Sequence, residues 1–174
     1  MPPLSPRARA TVYLIAIGSN RRGRHGSPDA EVRAALAAIS ASASSPILAS
    51  APLGPSHRRY ANAVARIESE EAPDALLVRL KAIERAFGRR AGRRWSARVI
   101  DLDVILWSGG CWASPGLIVP HTAFRERRFV LDPLVHLAPA WRDPVTGRTM
   151  RQLRARLTRP APAPRSRASA GRGP

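Results

Sequence analysis

The sequence predicts an α+β sandwich whose strands and helices follow the order β-α-β-β-α-β, with additional helices at the C-terminal end. Two observations predict this class. Short apolar runs bounded by turn residues alternate with two longer segments whose apolar residues recur at helical spacing. The chain has 174 residues, of which 44% are hydrophobic, so it can bury a core. We therefore interpret residues 11–157 as one domain.

The first strand and the first helix are predicted near the N-terminus. Thr11 to Ile17 form an apolar run that stops at a Gly-Ser-Asn turn, which is typical of a buried strand. Ser27 is a suitable N-cap, and Pro28 suits the first helical position. The apolar positions that recur at helical spacing are Val32, Leu36 and Ile39. The helix is expected to end among the serines of residues 40–45.

Two further strands and a second helix follow. Residues 46–50 and 60–68 have strand patterns, and the turn-rich segment between them favours a hairpin. Pro73 opens a helix whose end is marked by Gly88. The predicted apolar face of this helix comprises Leu76, Leu77, Leu80, Ile83 and Phe87.

The fourth strand is predicted over residues 98–107, which are rich in β-branched side chains, and helical patterns recur near residues 129–137 and 149–157. This order of elements is typical of a split βαβ, ferredoxin-like sandwich with two helices on one face of the sheet. Such a fold serves many functions, so function has to be argued from particular residues.

Charge and cysteine content exclude several classes of protein. Basic residues number 29 against 12 acidic ones, a net charge of +17, and Lys81 is the only lysine. Because Lys81 does not follow a glycine, the chain lacks a G-x-x-x-x-G-K-[ST] phosphate-binding loop. Cys111 is the only cysteine, which excludes intrachain disulfides, Cys-x-x-Cys redox pairs and thiolate zinc sites. The composition fits a reducing cytosol.

The two ends of the chain differ from its body. Residues 1–10 lack the apolar segment of a signal peptide, and no stretch approaches the ~20 apolar residues of a membrane span, so we expect a soluble cytoplasmic protein. Residues 158–174 are basic and lack any large apolar side chain. We expect a disordered basic tail there and a disordered extension over residues 1–10.

The candidate active site centres on two carboxylates of the fourth strand. Asp101 and Asp103 are two residues apart and so project to one face. The residues expected on the opposite face are Ile100, Leu102, Val104 and Leu106. At ~3.3 Å per residue the two aspartates lie roughly 6–7 Å apart at the backbone, close enough to bind one cation or a pair. Ligation by oxygen alone favours Mg²⁺ over Zn²⁺.

Arginines crowd the sequence just before this pair. The five that lie within a dozen positions are Arg89, Arg90, Arg93, Arg94 and Arg98. Guanidinium groups clamp phosphate oxygens and Mg²⁺ neutralises the remaining charge, so the combination favours phosphoryl transfer from a nucleotide. The alternative is that Asp101 and Asp103 form salt bridges with arginines such as Arg98 and bind no metal.

Residues 95–106, WSARVIDLDVIL, resemble the R-W-G-P-R-x-L-D-L-D-I-x-L signature of the 6-hydroxymethyl-7,8-dihydropterin pyrophosphokinase (2-amino-4-hydroxy-6-hydroxymethyldihydropteridine diphosphokinase) family. Further segments match that family in the same order, namely IAIGSN at 15–20, PLGP at 52–55, YANA at 60–63, VPH at 119–121 and RRFVLDPL at 127–134. Departures from the family pattern include Ser96-Ala97 in place of Gly-Pro, and Lys81 where glutamine is common. Gly116, Ile118 and Thr122 also stand where relatives often present polar or basic contacts to ATP.

The resemblance implies transfer of the terminal pyrophosphate of ATP to the hydroxymethyl group of a reduced pterin in folate biosynthesis, with release of AMP. It implies two Mg²⁺ ions ligated by Asp101 and Asp103. The residues that match ATP contacts are Arg89, Arg98, His121 and Arg127, of which the first two match arginines that steady the transferring group. For His121 taken alone, a structural role is the alternative.

The same resemblance implies a pterin site. Tyr60 and Asn62 lie two apart on a strand and share a face, which suits a pocket floor that offers an amide to the pterin edge. By the resemblance, Trp95 and Phe129 would sandwich the flat ring and Leu53 would supply an apolar wall. The alternative is that the two aromatic residues are ordinary core and that the strand face has no special role.

Two other functions are alternatives to this one. A ferredoxin-like nucleic-acid-binding module is favoured by the net charge of +17, but such modules stack bases on aromatic residues of the sheet, and only 5% of this chain is aromatic. A second rival is an inactive paralogue that binds pterin or ATP without turnover. We expect small-molecule substrates, no membrane or nucleic-acid partner, and a monomer. We also expect the Gly- and Arg-rich residues 88–95 to close over both substrates.

Overall fold

The structure is a computed structural model that describes residues 10–51, 59–88 and 99–158. In these ranges the chain forms, in order, β1 (Thr11–Ser19), α1 (Pro28–Ala38), β2 (Ala43–Ser44), β3 (Leu48–Ser50), β4 (Tyr60–Ser69), α2 (Pro73–Ala86), β5 (Asp101–Trp107), β6 (Trp112–Ser114), β7 (Leu117–Val119), a 3₁₀ turn (Phe124–Glu126), α3 (Arg128–Leu137) and α4 (Met150–Thr158). The predicted α+β class is confirmed.

The main sheet of the described chain has β1 at its centre. Its strand order is β2-β4-β1-β5, and β3 also pairs with β4. All of these pairings are antiparallel. The predicted hairpin partner of β4 is therefore confirmed as β3, although β3 is shorter than the predicted strand. β5 forms one edge of the sheet, and β6 and β7 make a separate two-stranded sheet.

The predicted helix boundaries rest on local chemistry that the structure shows. The Ser27 hydroxyl accepts a hydrogen bond from the N–H of Ala30 at 3.3 Å, and Pro28 occupies the first turn, as predicted for α1. α2 ends before Gly88, which has a φ of +97° and donates its N–H to Arg85 at 3.0 Å. α1 ends at Ala38, slightly before the predicted serines.

Helices cover both faces of the sheet. One core lies beneath α1 and α2 and includes Ile15, Val32 and Leu80. The other lies beneath α3 and α4 and includes Leu14 and Leu131. Consecutive residues of β1 thus serve opposite cores, because side chains alternate along a strand.

A β-bulge in β5 overturns one prediction. Leu14 of β1 lies opposite Leu106, whereas Ile15 lies opposite Val104, so Ile105 is an extra residue in β5. Ile105 and Leu106 consequently both pack into the α3/α4 core, while Leu102 and Val104 pack into the other. The prediction that Leu106 shares a face with Leu102 and Val104 is wrong, because the extra residue reverses the alternation.

The predicted terminal extensions lie almost wholly outside the described residues. Only Ala10 and Thr158 of these segments are described, and Thr158 is the last residue of α4. Within the described ranges, no helix has the length and apolar character needed to cross a membrane.

Candidate active site

The candidate site lies where β4, β1 and β5 run side by side on the α3 face of the sheet. Gly18 of β1 is opposite Asn62 of β4 on one side and Asp101 of β5 on the other. In the next register position on this face, Ala16 is opposite Asp103. The neighbours of these residues along each strand pack into the α1/α2 core, so the amide and both carboxylates face α3.

Small residues of β1 form the floor between the amide and the carboxylates. We call this floor, made by Ala16 and Gly18, the trough. A Cβ added to Gly18 would lie 3.5 Å from Oδ1 of Asn62, which is ordinary van der Waals contact. A side chain longer than alanine would therefore fill the space between Asn62 and the aspartates. The trough keeps the two sides of the site open to each other.

The charge of Asp101 lies close enough to disfavour ionisation of Asp103. Burial of its side chain raises the pKa of Asp103 above the ordinary value, and the charge of Asp101 raises it further. The groups that oppose this shift are Lys81, His121 and Arg127. A bound cation would remove the repulsion.

The donor set fits a hard divalent cation. Mg²⁺ is commonly held by one or two carboxylates together with water and substrate phosphates rather than by a full set of protein ligands. Within the described residues no group of three or more His, Cys, Asp or Glu side chains could hold a metal by itself. The pair Asp101 and Asp103 therefore suits Mg²⁺ that arrives with a nucleotide.

His121 is fixed beside the carboxylates by its backbone. Its N–H donates to the carbonyl of Ile105 in β5 at 3.0 Å. The N–H of Ala123 donates to its Nδ1 at 3.3 Å, so Nδ1 is an acceptor and the neutral ring carries its proton on Nε2. Burial lowers the pKa of His121; Asp103 and Asp101 raise it, and the charge of Arg127 lowers it.

Arg127 and Phe129 approach from the start of α3. Arg127 caps that helix, and its guanidinium lies 5.8 Å from the ring centroid of Phe129. Its charge acts on both Asp103 and His121. The structure thus brings four predicted residues together around the end of β5: Asp101, Asp103, His121 and Arg127.

A cavity of about 280 Å³ opens between β3, β4 and α3. Its lining residues are Leu48, Ala49, Ser50, Asn62, Arg128, Phe129, Asp132 and Pro133. Asn62 and Phe129, both predicted for the pterin, thus belong to one cavity, whose volume is near the lower end for small-molecule sites, about 300 Å³. The third predicted residue, Tyr60, is half-buried and pairs with Ser50 across the two strands, beside the cavity.

Sequence reasoning missed the polar partners that shape this cavity. Asn62 Nδ2 donates to Ser50 Oγ at 2.8 Å, which fixes the amide. Asp132 accepts hydrogen bonds from Arg128 at 3.1 Å and from Arg154 at 2.9 Å. The spacing of Arg128 and Asp132, four apart on a helix, was a usable signal for the first of these contacts. Nothing in the sequence signalled the bond to Arg154.

Two residues of α2 were also missed. Glu84 is fully buried. It lies four residues after Leu80, on the apolar face of the helix, and this spacing was the signal in the sequence that could have identified it. Lys81, to which the sequence analysis gave no structural role, binds Glu84 at 2.7 Å. Both contact the backbone of β5 between the two aspartates.

Several predicted site residues lie outside the described residues. They are Leu53, Arg89, Trp95 and Arg98, together with most of the predicted closing loop, residues 89–95. Their roles stay predictions.

Known proteins are similar to this chain in sequence and in fold. A sequence profile of the family described as 7,8-dihydro-6-hydroxymethylpterin-pyrophosphokinase (HPPK) matches residues 14–139. The 2-amino-4-hydroxy-6-hydroxymethyldihydropteridine pyrophosphokinase of Pseudomonas aeruginosa is 39% identical over 148 residues, which cover 81% of this chain and 88% of that protein. The protein of the same name from Haemophilus influenzae is 38% identical over 135 residues, covering 74% and 81% respectively.

A solved structure supports the fold. Wild-type HPPK-DHPS of Plasmodium falciparum, crystallised with SDX-DHP, matches with a TM-score of 0.68 at 11% sequence identity. The match covers 87% of this chain but 45% of that one, so this chain spans less than half of the solved protein. From the profile match and the two bacterial relatives, the chain belongs to the 7,8-dihydro-6-hydroxymethylpterin-pyrophosphokinase family.

Proposed function

We propose that the trough joins two halves of one active site, with the nucleotide at Asp101 and Asp103 and the pterin in the cavity at Asn62. The reaction is that of the family: ATP gives its terminal pyrophosphate to the hydroxymethyl group of 6-hydroxymethyl-7,8-dihydropterin in folate synthesis, and AMP leaves. The observation that carries the proposal is the register Asn62, Gly18, Asp101 across three strands. Two strand spacings of about 4.8 Å separate the amide from the carboxylate, a span that suits a small bicyclic substrate.

The ferredoxin-like description of the fold belongs to the same proposal. In a split βαβ unit two parallel strands are separated by a third strand that is antiparallel to both. The observed order supports it, since β4 lies between β1 and the strands β2 and β3 and is antiparallel to each.

For the nucleotide half, we assign Asp101 and Asp103 as the ligands of the Mg²⁺ that accompanies ATP; the family resemblance implies two ions. When bound, Mg²⁺ neutralises phosphate charge and makes the attacked phosphorus more electrophilic. Arg127 supplies a positive charge beside the carboxylates, where a triphosphate has to lie. His121, held neutral by burial, offers the N–H of Nε2 to an oxygen of the nucleotide.

For the pterin half, Asn62 reads the polar edge of the ring. One N–H of its amide is used by Ser50. The second N–H and the carbonyl oxygen can then pair with an acceptor and a donor of the ligand. Phe129 packs against the flat ring, and offset stacking of this kind adds roughly 0.5–1.5 kcal/mol beyond burial.

The chemical step follows from this placement. The hydroxymethyl oxygen attacks the β-phosphorus of ATP, the bond from that phosphorus to the oxygen of the AMP leaving group breaks, and the hydroxyl proton passes to solvent water. Holding the two substrates in line across the trough turns this encounter into a step within one complex, which lowers its entropic cost. In the predicted site, Arg89 and Arg98 clamp the transferring group, and Trp95 and Leu53 complete the pterin pocket.

We expect the protein to act as a monomer on these small molecules, in the cytoplasm. A product assay tests the function. Protein, Mg²⁺, ATP and 6-hydroxymethyl-7,8-dihydropterin should yield AMP and the pterin pyrophosphate in equal amounts. ADP as the product, or nucleotide turnover that does not need the pterin, would contradict the proposed function.

A further inference from the structure

The carboxylate pair lies on an edge strand. Among the described strands of the main sheet, β5 pairs with β1 on one side only. Alternate residues of an antiparallel strand turn their N–H and C=O groups to opposite sides. Leu102, which lies between the two aspartates, turns its groups to the open edge, where α2 meets them. Edges with unpaired backbone groups are a liability that proteins have to cover.

Two side chains of α2 supply the partners that a neighbouring strand would supply. The carboxylate of Glu84 accepts a hydrogen bond from the N–H of Leu102 at 2.8 Å. Nζ of Lys81 donates to the carbonyl of Leu102 at 3.3 Å. Lys81 and Glu84 also bind each other at 2.7 Å. We call these two side chains with their bonds to Leu102 the edge lock.

Burial makes the edge lock costly to break. The side chain of Glu84 is fully buried, and that of Lys81 is 31% exposed. Leu102 is itself fully buried. Loss of either side chain would leave a buried backbone group, and in one case a buried carboxylate, short of a partner, which is far less favourable than losing a surface contact.

We propose that Lys81 and Glu84 are positioning residues that fix the backbone of β5 at Leu102 and so hold Asp101 and Asp103 on one face for the cation that accompanies ATP. The two aspartates flank Leu102, so a twist or slip there turns both carboxylates, since a shift of one residue moves every side chain to the other face. The inference rests on the proposed function for the cation. The edge lock itself acts on the backbone.

Four variants of the full chain separate the parts of the edge lock. Glu84→Leu removes the acceptor, and Lys81→Met removes the donor. Lys81→Gln keeps an N–H donor at this position and removes the charge. Arg85→Met removes an exposed cation from the same helix and is the matched control.

Amide hydrogen exchange, followed by NMR without Mg²⁺ or ATP, measures the edge lock directly. We expect exchange at Leu102 to be roughly tenfold faster or more in Glu84→Leu, with a smaller increase in Lys81→Met, because a buried donor or acceptor has lost its partner. Lys81→Gln and Arg85→Met should stay near wild type. Unchanged exchange at Leu102 in Glu84→Leu would overturn the proposal. Equal acceleration at Ile15, in the central strand, would also overturn it, since the effect would then be global.

Cation binding provides the second measurement. Calorimetric titration with Mg²⁺ and the non-hydrolysable analogue α,β-methylene ATP should show affinity weakened by about tenfold in Glu84→Leu and less in Lys81→Met, in the order of their Leu102 exchange rates. Lys81→Gln should restore it. An unchanged affinity in a variant with fast exchange at Leu102 would overturn the link between the edge lock and the carboxylates.

A result against the proposed function can be distinguished from a result against the edge lock. If wild type and Asp103→Asn bound Mg²⁺ with the analogue equally well, the carboxylate pair would not be the cation site, and the positioning role toward a cation would fall with it. The exchange rates at Leu102 would still report whether the edge lock exists, because that measurement uses neither ligand.

Discussion

The two sides of the trough differ in how their polar groups are balanced. On the side of β4, the amide of Asn62 is held by Ser50, and Asp132 is shared between two arginines, so the cavity is complete without a ligand. On the side of β5, burial and the charge of Asp101 both disfavour ionisation of Asp103. A neutral planar molecule can bind on the β4 side without any change in ionisation, whereas the β5 side is stabilised when a cation binds.

The largest expected effect comes from removing a carboxylate charge on the β5 side of the trough. Asp103→Asn should lower kcat by roughly 10³-fold or more, because a metal-held phosphate is worth several kcal/mol in the transition state. Steady-state release of AMP measures it. The circular dichroism spectrum should match wild type, and full activity in a folded variant would contradict the assigned role.

The same variant has a stability signature that depends on pH. Because the pKa of Asp103 is raised in the folded protein, the stability it contributes is present below the unfolded value of 3.8 and is lost as the pH rises through the raised folded value. Without Mg²⁺, Asp103→Asn should therefore lose less stability than wild type between about pH 4 and pH 7. Urea unfolding across that range checks the sign, and a larger loss in the variant would be the contrary result.

Substitution of the trough should uncouple the two sides. Gly18→Val places branched carbons between Asn62 and the aspartates, and we expect kcat/KM to fall by about 10²-fold, the cost of a small misplacement of the reacting groups. Gly18→Ala is the control, since its Cβ meets Asn62 Oδ1 at an ordinary 3.5 Å. Equal activity of the two variants would show that the substrates do not meet over Gly18.

A substitution on the β4 side of the trough should mainly change the affinity for the pterin. Asn62→Ala removes hydrogen bonds to the pterin edge and should raise the KM for the pterin by roughly tenfold or more, with a smaller change in kcat and none in the KM for ATP. Ser50→Ala keeps the Asn62 amide but removes the hydrogen bond that fixes it, so its effect should be smaller. A change confined to the KM for ATP would assign Asn62 to the wrong half.

The smallest effect is a shift in the titration of His121. Burial lowers the pKa of this imidazole, so its NMR titration midpoint should lie below 6.5 in the metal-free protein. Asp103 and Asp101 raise that pKa, and a cation that masks their charge should lower the midpoint further. A midpoint that rises on addition of Mg²⁺ would argue against binding at these carboxylates.

The sequence was most informative where local rules dominate. The apolar run of β1, the cap at Ser27 and the turn at Gly88 all follow from short-range chemistry, and each is present in the structure. The face shared by Asp101 and Asp103 was also predictable, because strand alternation holds up to Val104. These features need no knowledge of distant parts of the chain.

Other features depend on contacts between segments that are far apart in the sequence. The partner of Asn62 is twelve residues away on another strand, and Leu102 is bound by Glu84 from eighteen residues away. The bulge at Ile105 follows from pairing with β1, and no turn residue in the sequence marks it. Such features are set by tertiary packing, which composition and periodicity do not record.

The bulge in β5 has a consequence for how the length of the chain can vary. β5 presents the carboxylate of Asp103 above the trough, and two residues later its side chains pack into the core beneath α3 and α4. Deleting Ile105 would restore strict alternation and leave Leu106 facing α3 and α4, but the core beneath those helices would lose the buried side chain of Ile105. Insertions and deletions between Asp103 and Leu106 should therefore be rejected, while the exposed turn at Pro115 and Gly116 can accept them.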